Sequence, residues 1–197
     1  MYPEDVDPQS GCRLSLPSRE ELSLAAAAIY DSLADPKGGS IRGLRGPGGI
    51  HLHSPELSRH TRPLNHYLRQ EADLGGRLRE LAILTTAREL DSQFEWTAHE
   101  PEALREGVSP EITDTIKYRK DTGTLDAADA IVINLGREIF TSRKVRSATF
   151  ARALALFGPR KLVDLVALMG NYAATAALLT AFDMQLDPGQ PPLLPML

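Results

Sequence analysis

Glycine and proline cut this chain into segments that suit helices and little else. Ser18-Arg19-Glu20-Glu21 has the pattern of a capping box and opens an Ala-rich helix through about Ala34, closed by Asp35-Pro36. Residues 36–50 carry Gly38, Gly39, Gly43, Gly46, Pro47, Gly48 and Gly49, which predicts an irregular loop. That loop lacks the GxxxxGK[ST] spacing and follows no strand, so it is not read as a phosphate cradle. Ser54-Pro55-Glu56 starts a helix to about Ala72, with Pro at its first position. After Gly75-Gly76, residues Arg77 to Leu90 place Leu78, Leu81, Ala82 and Leu84 in helical rhythm. Ser92-Gln93-Phe94-Glu95 is a second capping box, leading a helix that stops at Gly107.

Further helices are predicted from Ser109-Pro110-Glu111, from Leu125 to about Ser142, from Ser147 to Gly158-Pro159, and from Arg160 to Phe182. Strand signals are nearly absent, and Gly49 to His53 makes at most a short extended piece. The expected fold is all-α, a single domain of 197 residues. Residues 1–49 supply an N-terminal arm with Pro3, Pro8 and Pro17, one helix and the Gly-rich loop. Residues 50–183 form the main helical body, and 184–197 a Pro-rich tail.

With 22 basic and 26 acidic residues the net charge is -4, and no long Lys/Arg block is present. Nucleic acid is therefore an unsuitable partner on electrostatic grounds. Nothing approaches 18 consecutive apolar residues, so no membrane span is expected. The acidic start, MYPEDVDPQSG, does not read as a secretory signal, which makes the cytoplasm the expected location. Cys12 is the one cysteine. It can form no intrachain disulfide, no CxxC pair and no thiolate zinc cage. No metal and no cofactor are expected.

Glu95 and His99 stand four apart on one helix face, in reach of each other. A carboxylate beside an imidazole fixes its tautomer and suits it to general acid–base work. Glu95 has a competing structural role as third residue of the Ser92 capping box, and His99 would otherwise be an ordinary surface imidazole. Glu80 lies within the apolar rhythm of its helix. It is either a solvated residue between Arg77 and Arg79 or an inward carboxylate that needs a partner such as His99. His51-Leu52-His53 would aim both imidazoles the same way if extended and could on paper join a metal site, although loop histidines flanking a cleft are the simpler reading. Arg42 and Arg45 could grip a substrate carboxylate with their forked donors, or be solvated loop arginines. Trp96 is a candidate substrate contact that would also dry the site, although tryptophans in this setting are more often core.

The stretch Arg77 to Arg88, followed by Glu95-Trp96-Thr97-Ala98-His99-Glu100-Pro101, resembles the carboxymuconolactone-decarboxylase/AhpD-like superfamily. So does the Leu165 to Phe182 segment with Gly170-Asn171-Tyr172; the resemblance spans roughly 50–183 and is clearest in 77–107. In the AhpD-like branch the site is a glutamate, a CxxC and a histidine four residues after the second cysteine. Counting back from His99, those thiols fall on Ser92 and Glu95, and the glutamate on Glu80. The chain thus resembles the non-redox members, with dithiol peroxidase chemistry removed.

The resemblance implies an AhpD-like helical bundle and a homo-oligomer, a trimer or hexamer; the Pro-rich arm and the Leu193-Leu194-Pro195-Met196-Leu197 tail would suit wrapping a neighbour. The resemblance also implies catalytic residues His99, Glu95 and Glu80 and a pocket bordered by the segment of His53, which makes His53 a substrate contact beside the candidates Trp96 and Arg45 read from the residues. The implied activity is a cofactor-independent lyase of aromatic-compound catabolism, acting on a small carboxylated unsaturated lactone or ring-cleavage product. An isomerase or hydratase on a related unsaturated acid, or a non-catalytic binding protein, uses the same residues. Residues 77–84 also echo 161–168, either by duplication of a helix hairpin or because amphipathic helices share such patterns. If duplicated, the second copy carries Leu179 and Asp183 in place of Glu95 and His99.

Overall fold

The computed structural model describes residues 2–37 and 41–196, and within them the chain is all-helical with no strand. The helices are α1 (Leu24–Ala34), α2 (Pro47–His51), α3 (Pro55–His66), α4 (Gly76–Glu89), α5 (Gln93–Arg105), α6 (Pro110–Lys117), α7 (Ala127–Arg137) and α8 (Ser147–Ala181). Single π-helical turns, Tyr67–Glu71 and Glu138–Ser142, continue α3 and α7. The chain divides into two compact units, one of Met1–Leu64 with Ala177–Pro191 and one of Asn65–Ala176 with Pro192–Leu197.

In the larger unit α4 is the central element, packed by α5, α6 and α7. Its residues from Glu80 to Arg88 are buried all round, as befits a helix enclosed by others. Two threonines can be buried there because each hydroxyl donates back along the helix, Thr85 to the Leu81 carbonyl at 2.8 Å and Thr86 to that of Ala82 at 2.9 Å. Gly136 allows α7 to close on α4, since a Cβ there would lie 2.5 Å from Thr85 Cγ2. Arg77 ties the same pair of helices with two bonds to the buried Asp129 carboxylate, at 2.6 and 2.7 Å.

Several boundaries follow the sequence and others are corrected. Ser109 caps α6 as expected, accepting from the Ile112 N–H. Gly158, at φ 70° and ψ 169°, breaks α8 where Gly158-Pro159 predicted an end. The Ser18 capping box does not open α1: Arg19–Glu21 form a single 3₁₀ turn, and Ser23 is the cap, accepting from Ala26 N–H. Of the Gly-rich loop, Gly38 and Gly39 lie outside the described residues. Its other end is not irregular, since Pro47 opens the short α2 in place of the extended Gly49–His53 piece.

Both termini make internal contacts among the described residues. In the smaller unit the arm folds onto the 182–187 segment, with Arg13 N–H donating to the Phe182 carbonyl and Gln185 N–H to that of Gly11. In the larger unit the tail is pinned at Leu194, whose N–H and carbonyl both bond the Gln93 amide, and at Pro195, whose carbonyl takes an Arg88 N–H at 2.7 Å.

The absence of an 18-residue apolar run does not carry over to the helix as a whole. Over an 18-residue window α8 reaches a mean hydropathy of 1.6, so it is long and apolar enough to cross a membrane by those measures alone. Leu162, Leu165, Leu168 and Met169 commit one side of it to the core.

Candidate active site

The two sequence-adjacent helices that matter here, α4 and α5, pack directly on each other. Glu80 points inward from α4 and His99 inward from α5, and they meet. His99 Nδ1 lies 2.7 Å from Glu80 Oε2, with side chains 5% and 1% exposed. Glu95, one turn before His99, brings Oε2 to 3.5 Å from the opposite ring nitrogen, Nε2, and is 6% exposed. The capping-box alternative for Glu95 is not realised. Ser92 makes no side-chain cap, and its N–H is taken by the Ala87 carbonyl at 2.8 Å.

Protonation follows from the surroundings. Burial pushes the Glu80 carboxyl upward, but the hydrogen bond and charge of His99, with Arg79 and Arg69 behind them, more than offset it and leave Glu80 below its ordinary value. Glu80 is therefore an acceptor-only carboxylate near neutrality, and the proton in the 2.7 Å bond belongs to His99 Nδ1. Glu95 goes the other way. Its burial outweighs the help of His99 and Arg69, so its carboxyl stays protonated above the ordinary range. One histidine is thus held between an ionised carboxylate at Nδ1 and a carboxylic acid near Nε2.

Residues beyond that trio complete the surroundings. Arg79 donates from Nε to Glu80 Oε1 at 3.1 Å and from Nη1 to the Arg69 carbonyl at 2.9 Å. Tyr172 of α8 sets its ring edge-on to His99, centroids 5.2 Å apart at 85°. Burial pushes its hydroxyl far up, so it is a neutral donor throughout the working range. Arg69 stands on the π turn, where the Ala72 N–H reaches back five residues to the Tyr67 carbonyl. Tyr172 continues the inward face set by Leu165, Leu168 and Met169, a spacing that could have singled it out. Arg69 gives no such signal, because a π turn has no signature in a polar stretch.

The other residues singled out from the sequence are placed elsewhere. Trp96 is fully buried in the core, donating from Nε1 to Glu100 Oε2 at 2.8 Å, with Lys117 Nζ 5.6 Å above its ring. Arg45 belongs to the smaller unit, where it pairs with Asp187 at 2.9 Å and donates to the Tyr2 hydroxyl at 2.7 Å. Arg42 pairs with the same Asp187 at 2.6 Å. These arginines do grip a carboxylate, and it is the protein's own. His53 Nε2 lies 3.0 Å from the Ser15 carbonyl, also in the smaller unit. Cys12 is buried there with its thiol 3.4 Å from the Leu14 carbonyl. At the echo positions, Asp164 accepts the Tyr67 hydroxyl at 3.2 Å, Leu179 is buried and Asp183 faces Arg13 at 3.8 Å. Among the described residues no group of three or more metal-ligating side chains is assembled.

No family model matches the chain, and no curated protein matches its sequence.

The opposed shifts of the two glutamates give a stability test. Glu95 is neutral in the fold at a pH where the unfolded chain has ionised it. Stability is undiminished below the ordinary carboxylate value and falls as pH rises from there to the raised folded value. Glu80 is the reverse: its contribution is present above the ordinary value and lost as pH falls through its lowered one. Replacing Glu95→Gln removes only the first penalty. The variant should therefore gain on the parent protein as pH rises from the ordinary carboxylate value to the raised folded one, and then hold its advantage. Parallel melting-temperature curves for the two proteins would show that Glu95 is not a buried acid.

Proposed function

We propose that the protein is a cofactor-independent acid–base enzyme of the carboxymuconolactone-decarboxylase type, acting on a small carboxylated, unsaturated lactone or a related ring-cleavage product. The reading is carried by one observation, the buried His99 imidazole with Glu80 at Nδ1 and Glu95 beyond Nε2. Surface ion pairs do not need such placement, and burying three ionisable groups together is costly unless the arrangement is used.

In a γ-carboxylated unsaturated lactone the bond to the carboxyl carbon breaks, CO2 leaves, and the electron pair flows through the double bond into the lactone carbonyl, giving a dienolate. The substrate is its own electron sink. The protein then supplies one proton to carbon. Glu95, held as the acid, protonates Nε2 to give an imidazolium that the Glu80 carboxylate steadies at Nδ1, and His99 delivers that proton from Nε2 to carbon. Glu95 is then reprotonated from water. Low exposure of the trio keeps the departing carboxylate poorly solvated and strengthens each of these interactions.

The test is turnover of a γ-carboxylated butenolide in D2O. The expected product carries one deuterium at the carbon that is protonated, and CO2 appears in equal amount. Turnover by a His99→Ala protein at the parent rate would remove the acid–base role. The homo-oligomer implied by the family resemblance is part of the same proposal, supported by the apolar residues that α8 leaves exposed, Phe150, Leu156 and Val163.

A further inference from the structure

Arg69 stands out from the other arginines near the His99 site. Arg79 is committed to Glu80 and to the Arg69 carbonyl, but the Arg69 guanidinium is not committed to anything. Its Nε is buried without a hydrogen-bond partner, and no carboxylate lies within ion-pair distance of it among the described residues. A half-buried guanidinium normally acquires a carboxylate or a carbonyl, because leaving its donors unmade is costly. The backbone here is nevertheless fixed. The π turn sets its path, and Arg79 holds the Arg69 carbonyl at 2.9 Å, so the side chain is presented from a rigid base.

Arg69 is close enough to the site for its charge to act there. It opposes the effect of burial on the Glu95 carboxyl and on the Tyr172 hydroxyl, and it helps lower Glu80. Tyr172 is the second uncommitted group. Its ring is packed against His99, yet its hydroxyl makes no hydrogen bond among the described residues. One free cation and one free neutral donor therefore stand near the histidine, whose Nδ1 is occupied by Glu80. A forked guanidinium and a phenol together match the two oxygens of a carboxylate. The neighbouring Glu95 does not repel that carboxylate, since it is itself uncharged.

We propose that Arg69 and the Tyr172 hydroxyl form a carboxylate subsite beside His99, which takes a small, flat, unsaturated monocarboxylate. The inference rests on the acid–base reading of His99 and names the groups that would orient the substrate for it. Arg69 and Tyr172 fix the acid group, so the conjugated carbons lie against Nε2, and specificity for an anion over its neutral analogue is set by Arg69.

Crotonate and crotonamide are the probes, a planar unsaturated acid and its uncharged isostere, titrated against the full chain while the ring resonances of His99 and Tyr172 are followed by NMR. Crotonate should move both sets of signals, and crotonamide should bind at least tenfold more weakly. Arg69→Gln should weaken crotonate at least tenfold and leave crotonamide unchanged, Arg69→Lys should retain part of the affinity, and Tyr172→Phe should lose less than Arg69→Gln. Equal binding of the two probes by the parent protein overturns the subsite without any variant, which covers the case in which Arg69→Gln fails to fold. Unchanged crotonate affinity in Arg69→Gln overturns it too, as does binding that leaves His99 unmoved. These outcomes are separate from the proposed reaction. Crotonate binding that obeys the pattern in a protein unable to deuterate the butenolide keeps the subsite and sinks the lyase reading.

Discussion

His99→Ala is expected to lower the turnover of a carboxylated butenolide by about 10²–10⁴, the usual contribution of a positioned proton donor. At roughly 1.4 kcal/mol per tenfold, that is a barrier increase of about 3–5 kcal/mol. The effect is large because, in the proposed reaction, His99 is the group that carries the proton from Glu95 to carbon. Glu80 is ionised and bonded to Nδ1, and Glu95 is 3.5 Å away from Nε2 with the imidazole between them. Fold loss is separated from site loss by His99→Gln, which keeps a donor toward Glu80 and should melt nearer the parent protein while remaining as slow as the alanine variant. A fall in rate of less than about threefold would leave His99 with a structural role only.

Trp96→Ala is expected to show an effect of similar size on a different quantity. Deleting a fully buried indole costs about 3–5 kcal/mol of stability through lost burial and the cavity left behind. For a chain of this length that is a fall in melting temperature on the order of 10 °C. The loss is compounded because Glu100 Oε2 loses its Nε1–H donor and Lys117, 2.6 Å from Glu100 Oε1, loses the ring beneath it. Trp96→Phe keeps most of the packing and should lose less. A substrate contact behaves otherwise: Trp96→Ala would then raise KM at an unchanged melting temperature, an outcome that would return Trp96 to the site.

Trp96 and Glu80 show where a sequence can be read and where it cannot. Helix after helix was legible from caps and breaks, because Ser109-Pro110-Glu111 and Gly158-Pro159 leave the backbone few alternatives. Whether Glu80 faced water or the core was not legible, since α4 is buried all round and no polar face betrays its orientation. The partner settles it: His99 on α5 makes an inward glutamate tenable, and that meeting depends on the packing of two helices. The Ser92 box misled for the opposite reason. Its local pattern was complete, yet the Ala87 carbonyl had taken the N–H that Glu95 would have reached for, which freed Glu95 for His99. Arg45 was legible as a carboxylate binder, but the carboxylate is Asp187, from a segment more than a hundred residues away.

In the proposed reaction Glu80 fixes the His99 tautomer so that Nε2 is the nitrogen that works. Long-range ¹⁵N spectra of the His99 ring in the uncomplexed protein measure this directly. The expected result is a proton on Nδ1 wherever the protein is folded and Glu80 ionised, with Nε2 the nitrogen whose shift responds to Glu95→Gln. A neutral ring carrying its proton on Nε2, with Nδ1 bare toward Glu80, would contradict the account.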